Sequence, residues 1–123
     1  INLATPDVEA ARQIARAVRA SSGGFPHVKA LGLKLASRNQ AQVSMNLTDF
    51  EATPLHTVFE AVAKEAQSRG TEIASTEIIG FLPRKVVEMT AAYFLRCENL
   101  ESETVLENRL QELMARQKRV TDA

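Results

Sequence analysis

The chain has 123 residues, 45% of them hydrophobic, and its 15 Lys and Arg are balanced by 15 Asp and Glu. That length suits one domain with a core of its own, and the zero formal charge removes any bulk attraction to nucleic acid or an anionic membrane. The single cysteine, Cys97, excludes an internal disulfide and points to a reducing compartment. No apolar run reaches spanning length and no signal-peptide pattern is present, so a cytoplasmic protein without membrane contact is expected.

Ile1-Asn2-Leu3 reads as the end of a strand and lacks an initiator Met, so a piece of a longer polypeptide is expected. A helix follows at once. Thr5 is the expected N-cap and Pro6 the first helical residue, and Asp7 and Glu9 complement the positive end of the dipole. Val8, Ala11, Ile14, Ala15 and Val18 form its apolar stripe, with Arg12, Arg16 and Arg19 as a solvated outer row. Ser21-Ser22-Gly23-Gly24 stops it.

Two strands come next, from His27 to Ala36 and from Ala41 to Thr48, joined by the polar turn Ser37-Arg38-Asn39-Gln40. Alternation sets Leu31, Leu33 and Leu35 apart from Val28, Ala30, Gly32 and Lys34. In the second strand it sets Val43, Met45 and Leu47 apart from Gln42, Ser44, Asn46 and Thr48. The expectation is that both leucine-bearing sets point into the core. The reverse face would then pair Ala30, Gly32 and Lys34 with a row of neutral hydrogen-bonding groups, forming a shallow, wettable hollow. Lys29 would lie away from that hollow.

Thr53 and Pro54 open a second helix, in which Leu55, Val58, Phe59, Val62 and Ala66 recur at helical spacing, and Gly70 ends it. Glu72 to Phe81 reads as a fourth strand, with a bulge near the adjacent Ile78 and Ile79. Pro83 starts a third helix through Val86, Val87, Met89, Thr90, Tyr93 and Phe94. After Asn99 a last helix presents Val105, Leu106, Arg109, Leu110, Leu113 and Met114, and its Lys118-Arg119 end is expected to fray. Cys97 reads as a partly buried helix thiol. The order β-α-β-β-α-β followed by helices is that of an α+β, ferredoxin-like sandwich with a truncated first strand, its core over 1–98 and a helical extension over 99–123. Such a fold leaves one sheet face uncovered.

No metal-ligand spacing, Gly-rich phosphate loop or nucleophile elbow occurs, so no metal is expected. His56 reads as a capping or packing residue in the first turn of a helix, and His27 as a solvated loop residue. Glu77 faces either a partner in the sheet or water. A nucleophile, base and orienting group cannot be assembled from this chain.

The run Ser21 to Leu33 (SSGGFPHVKALGL) and the segments QVSMNLT from Gln42 and TPLHTVFE from Thr53 occur together with TEIIGFLP from Thr76 and VLENRL from Val105. In that order they resemble the C-terminal subdomain of glutamate formiminotransferases, including the transferase half of formiminotransferase-cyclodeaminase. The resemblance covers nearly the whole chain. It implies two ferredoxin-like subdomains facing each other across a folate-binding tunnel, with the formimino group of N-formimino-L-glutamate passing to N5 of tetrahydrofolate. That is a step of histidine degradation and one-carbon metabolism. It also implies that the catalytic histidine lies in an N-terminal subdomain absent here, so that neither His27 nor His56 is catalytic and this chain alone is inactive.

Gln42, Ser44, Asn46 and Thr48 are then the expected folate wall, with Gly32 allowing close approach and Lys34 a candidate carboxylate contact. Two further readings stay open. One is a non-catalytic ligand-binding or interaction module using the same open face, and the other is a transferase with a related N-substituted glutamate as donor. An uncovered face also favours self-association, so a homodimer through it is carried as an expectation.

Overall fold

The computed structural model describes residues 1–123. In chain order it contains β1 (Asn2–Leu3), α1 (Val8–Val18), β2 (Val28–Leu35), β3 (Gln40–Leu47), α2 (Leu55–Ser68), β4 (Ile73–Ser75), α3 (Arg84–Leu95) and α4 (Leu106–Asp122). The strands form one antiparallel sheet in the order β2-β3-β1-β4. This is the ferredoxin-like order, with α1 and α2 on one face.

The core lies between those two helices and the sheet. Ile14, Ala15 and Val18 of α1, Val58, Val62 and Ala66 of α2, and Leu3, Val28 and Val43 of the sheet are buried. Both helices begin one or two residues later than the cap signals suggest. Asp7, not Thr5, caps α1 by accepting from the Glu9 amide, while Thr5 accepts from the amide of Asp7. Pro54 precedes α2, and the buried Thr53 hydroxyl donates instead to the Pro26 carbonyl at 2.6 Å, tying the helix start to the entry of β2. Gly23, at φ +86°, makes the left-handed turn after α1 that a side chain would resist.

The facing of β2 differs from expectation. Cross-strand partners share a face, and the register pairs Val28 with Leu47, Ala30 with Met45 and Gly32 with Val43. The small residues of β2 therefore point at the helices, and Leu31 and Leu33 point away from them, 60% and 42% exposed. Gly32 supplies the reason. A Cβ built there would lie 2.3 Å from the Arg12 amide nitrogen and 2.6 Å from the Ala11 carbonyl carbon. At Gly32 helix α1 crosses β2 so closely that no side chain fits between them.

The fourth strand is also shorter than expected. It ends at Ser75, and residues 76–83 leave the sheet without regular structure. Beyond it α3 packs on α2, where Phe59 meets Phe94 edge to face at 5.7 Å. Helix α4 is held to α3 mainly by polar contacts: Arg84 donates to Asn108 Oδ1 and Gln111 Oε1, and Asn108 donates to Glu88 Oε1 and to Ser102. It runs unbroken to Asp122 instead of fraying at Lys118. Cys97 follows the left-handed Arg96 and is exposed rather than partly buried. No helix is long and apolar enough to cross a membrane.

Candidate functional site: the open face of the sheet

The face away from α1 and α2 is assembled strand by strand. Strand β3 contributes Gln40, Gln42, Ser44 and Asn46. Opposite them β2 places Leu35, Leu33, Leu31 and Lys29. On the other side Asn2 of β1 pairs with Gln42, and Ser75 of β4 pairs with Asn2. The result is a leucine row, then an amide and hydroxyl row, then a second polar row.

Gln42, Ser44 and Asn46 are thus brought together as the alternation of β3 implies, and Ser44 and Asn46 are exposed. Thr48 lies just past the strand, and its hydroxyl donates to the His27 carbonyl, which also receives the Thr48 amide. The structure does not bring Gly32 and Lys34 to this face. Gly32 lies beneath α1, and Lys34 pairs with Ala41 on the helix side. The lysine of the open face is Lys29, opposite Asn46 and exposed. Alternation holds within β2, but its inner face is the reverse of the one expected, because β2 is apolar on both sides.

A hydrogen-bonded chain crosses the polar rows. The Gln42 Nε2 group donates to Asn2 Oδ1 at 2.9 Å and to Glu77 Oε2 at 3.2 Å. Asn2 Nδ2 donates to Ser75 Oγ at 3.0 Å. Glu77 also pairs with Arg38 at 3.4 Å. Asn2 is fully buried although it sits on the open face, so both ends of its amide need partners, and both have them.

Asn2, Lys29, Arg38 and Glu77 could not be placed from sequence alone, because their positions depend on cross-strand register and on a segment that leaves the sheet. Neither histidine side chain hydrogen-bonds to the polar rows. His56 stacks on Tyr93 at 4.0 Å between α2 and α3, and His27 has a left-handed backbone at the entry to β2. No group of three His, Cys, Asp or Glu side chains converges to hold a metal ion.

An antiparallel sheet backed by helices on one side, and lined on the other by leucines beside oriented amides, defines an α+β module built to present a face. The chain belongs to the formiminotransferase domain family, whose model matches residues 1–117. A glutamate formimidoyltransferase of Streptococcus pyogenes serotype M1 is 38% identical over 111 residues, covering 89% of this chain and 37% of that protein. One from Thermoplasma acidophilum is 34% identical over 111 residues, covering 90% of this chain and again 37% of its own length. The formimidoyltransferase-cyclodeaminase of Sus scrofa is 42% identical over 78 residues, 63% of this chain and 14% of the relative. The chain therefore spans little more than a third of the curated transferases it matches.

Proposed function

We propose that this chain is the C-terminal subdomain of a glutamate formimidoyltransferase and forms one wall of its folate site. The observation that carries the reading is the composition of the open face: Leu31 and Leu33 lie beside Gln42, Ser44 and Asn46 in a family of formimino transferases. A flat heterocycle with apolar faces and polar edges needs both kinds of contact, and neutral amides and hydroxyls meet its edges without the desolvation cost of a full charge. Lys29, at the rim of the same face, suits a substrate carboxylate better than Lys34 does.

The reaction transfers the formimino carbon from the glutamate nitrogen of N-formimino-L-glutamate to N5 of tetrahydrofolate. The N5 lone pair attacks the amidine carbon and forms the new C–N bond. N5 loses its proton to a base, and the tetrahedral adduct collapses by breaking the bond to the glutamate nitrogen, which departs as the amine after protonation. The residues of this chain bind and orient; holding two substrates in line supplies the proximity contribution. The base and acid would come from the part of the relatives' length that this chain does not span. The cytoplasm suits such an enzyme and keeps the exposed Cys97 reduced.

The test is turnover by the full-length polypeptide carrying these residues, with N-formimino-L-glutamate and tetrahydrofolate as substrates and 5-formiminotetrahydrofolate as the product measured. Residues 1–123 alone should show none. Full turnover by this segment alone would contradict the division of labour. Saturable folate binding by the full-length protein with no transfer would favour a non-catalytic binding module.

A further inference from the structure

The chain of hydrogen bonds on the open face does more than fill valences, because it fixes which end of the Gln42 amide faces outward. A carboxylate paired with a guanidinium accepts and does not donate, so the Gln42 group touching Glu77 Oε2 must be its NH2. The same NH2 meets Asn2 Oδ1, whose own NH2 is engaged by Ser75. Turning the Gln42 amide over would set its oxygen against two other oxygens at 2.9 and 3.2 Å. Both hydrogens of Nε2 are therefore engaged inside the face, and Oε1 is left as the outward group.

We infer that Gln42, locked by Asn2 and Glu77, is an acceptor-only recognition element that selects a ligand with an N–H donor edge. The Glu77 carboxylate, 43% exposed, stands beside it with lone pairs to spare. Together they form an acceptor pair suited to a flat ring bearing adjacent donors, such as the 2-amino group and N3–H of a reduced pterin. Arg38 and Asn2 are positioning residues: one holds the carboxylate and the other holds the amide. The assignment rests on the folate reading and adds to it the orientation of the ring, donor edge toward Gln42 and Glu77.

Equilibrium binding of tetrahydrofolate and of its 2-desamino counterpart to the full-length polypeptide tests it. The wild type should favour tetrahydrofolate by about tenfold or more, the loss expected when a buried acceptor is left without its donor. Gln42→Ala should bring the two ligands within about twofold of each other. Glu77→Gln, nearly isosteric and at a half-exposed position, keeps the test usable if Gln42→Ala unfolds; it replaces the acceptor-only carboxylate beside Gln42 with an amide that can present its NH2, and should also reduce the preference several-fold. Equal weakening of both ligands, or a preference retained in both variants, overturns the inference while leaving the folate reading intact. A wild-type protein that binds neither ligand overturns the folate reading and the inference with it.

Discussion

Residues 1–75 and residues 76–123 are built on different terms. Of the 16 buried residues, only Val86 lies beyond position 75. Conversely, of the large hydrophobic side chains left exposed, only Leu31 and Leu33 lie before it. Ile79 and Phe81 are almost wholly in water, and α4 buries no residue fully although Leu106, Leu110, Leu113 and Met114 line it. The first segment folds on its own sheet and helices. The second is attached to it through the α2–α3 contact, the ion pair of Lys85 with Glu51 and the bond from Gln42 to Glu77. Within these 123 residues, large apolar side chains are buried in the first stretch and mostly left exposed in the second.

The largest effect should come from placing a charge in the first segment. Val43 is fully buried at the centre of β3, so Val43→Asp should cost at least about 4 kcal/mol and abolish cooperative unfolding. Leu113→Asp, the same kind of change in α4, should move stability by less than about 0.5 kcal/mol. Chemical denaturation of the two variants decides whether the contrast is real, and similar losses would erase it.

A side chain at Gly32 probes the closest approach of helix to sheet. Gly32→Val must push α1 away from β2 and should cost about 1–3 kcal/mol, read as a lowered denaturation midpoint. A variant as stable as the wild type would show that α1 can retreat without loss. Smaller still is the clip that holds α4. Asn108→Ala removes the bonds to Glu88 and Ser102, and about 1 kcal/mol of local stability should go with them. Hydrogen exchange should quicken in α4 and stay unchanged in β2 and β3. Faster exchange across the whole sheet would mean that the two segments unfold as one. Smallest of all is Phe81→Ser, which should leave the stability of residues 1–123 within about 0.5 kcal/mol of wild type, read as an almost unchanged melting temperature.

Much of the first segment was legible in the sequence because its signals agree. Helical spacing in α1 and α2, turn residues between the strands, and the β-α-β-β-α-β order all lead to the observed sandwich. The second segment is less legible because its signals conflict with its environment. Ile78 and Ile79 look like strand residues, yet the chain has already left the sheet.

The candidate site divides in the same way. Gln42, Ser44 and Asn46 follow from alternation within one strand. Gly32 and Lys34 lie on the helix side, contrary to expectation, because the apolar content of β2 does not reveal its inner face. The larger leucines looked like core, but the close crossing of α1 admits only small residues. Asn2, Lys29 and Glu77 need the register between strands, which no single segment contains.

The open face, and not the helix face, is proposed to meet the folate. This is tested most directly by measuring tetrahydrofolate affinity of the full-length polypeptide with Asn46→Ala and, separately, Lys34→Ala. Both side chains are exposed, and they lie on opposite faces of the sheet. Loss of a hydrogen bond at Asn46 should weaken binding by about tenfold, and Lys34→Ala should leave it within about twofold of wild type. The reverse pattern, with Lys34→Ala weakened and Asn46→Ala unaffected, would contradict the account.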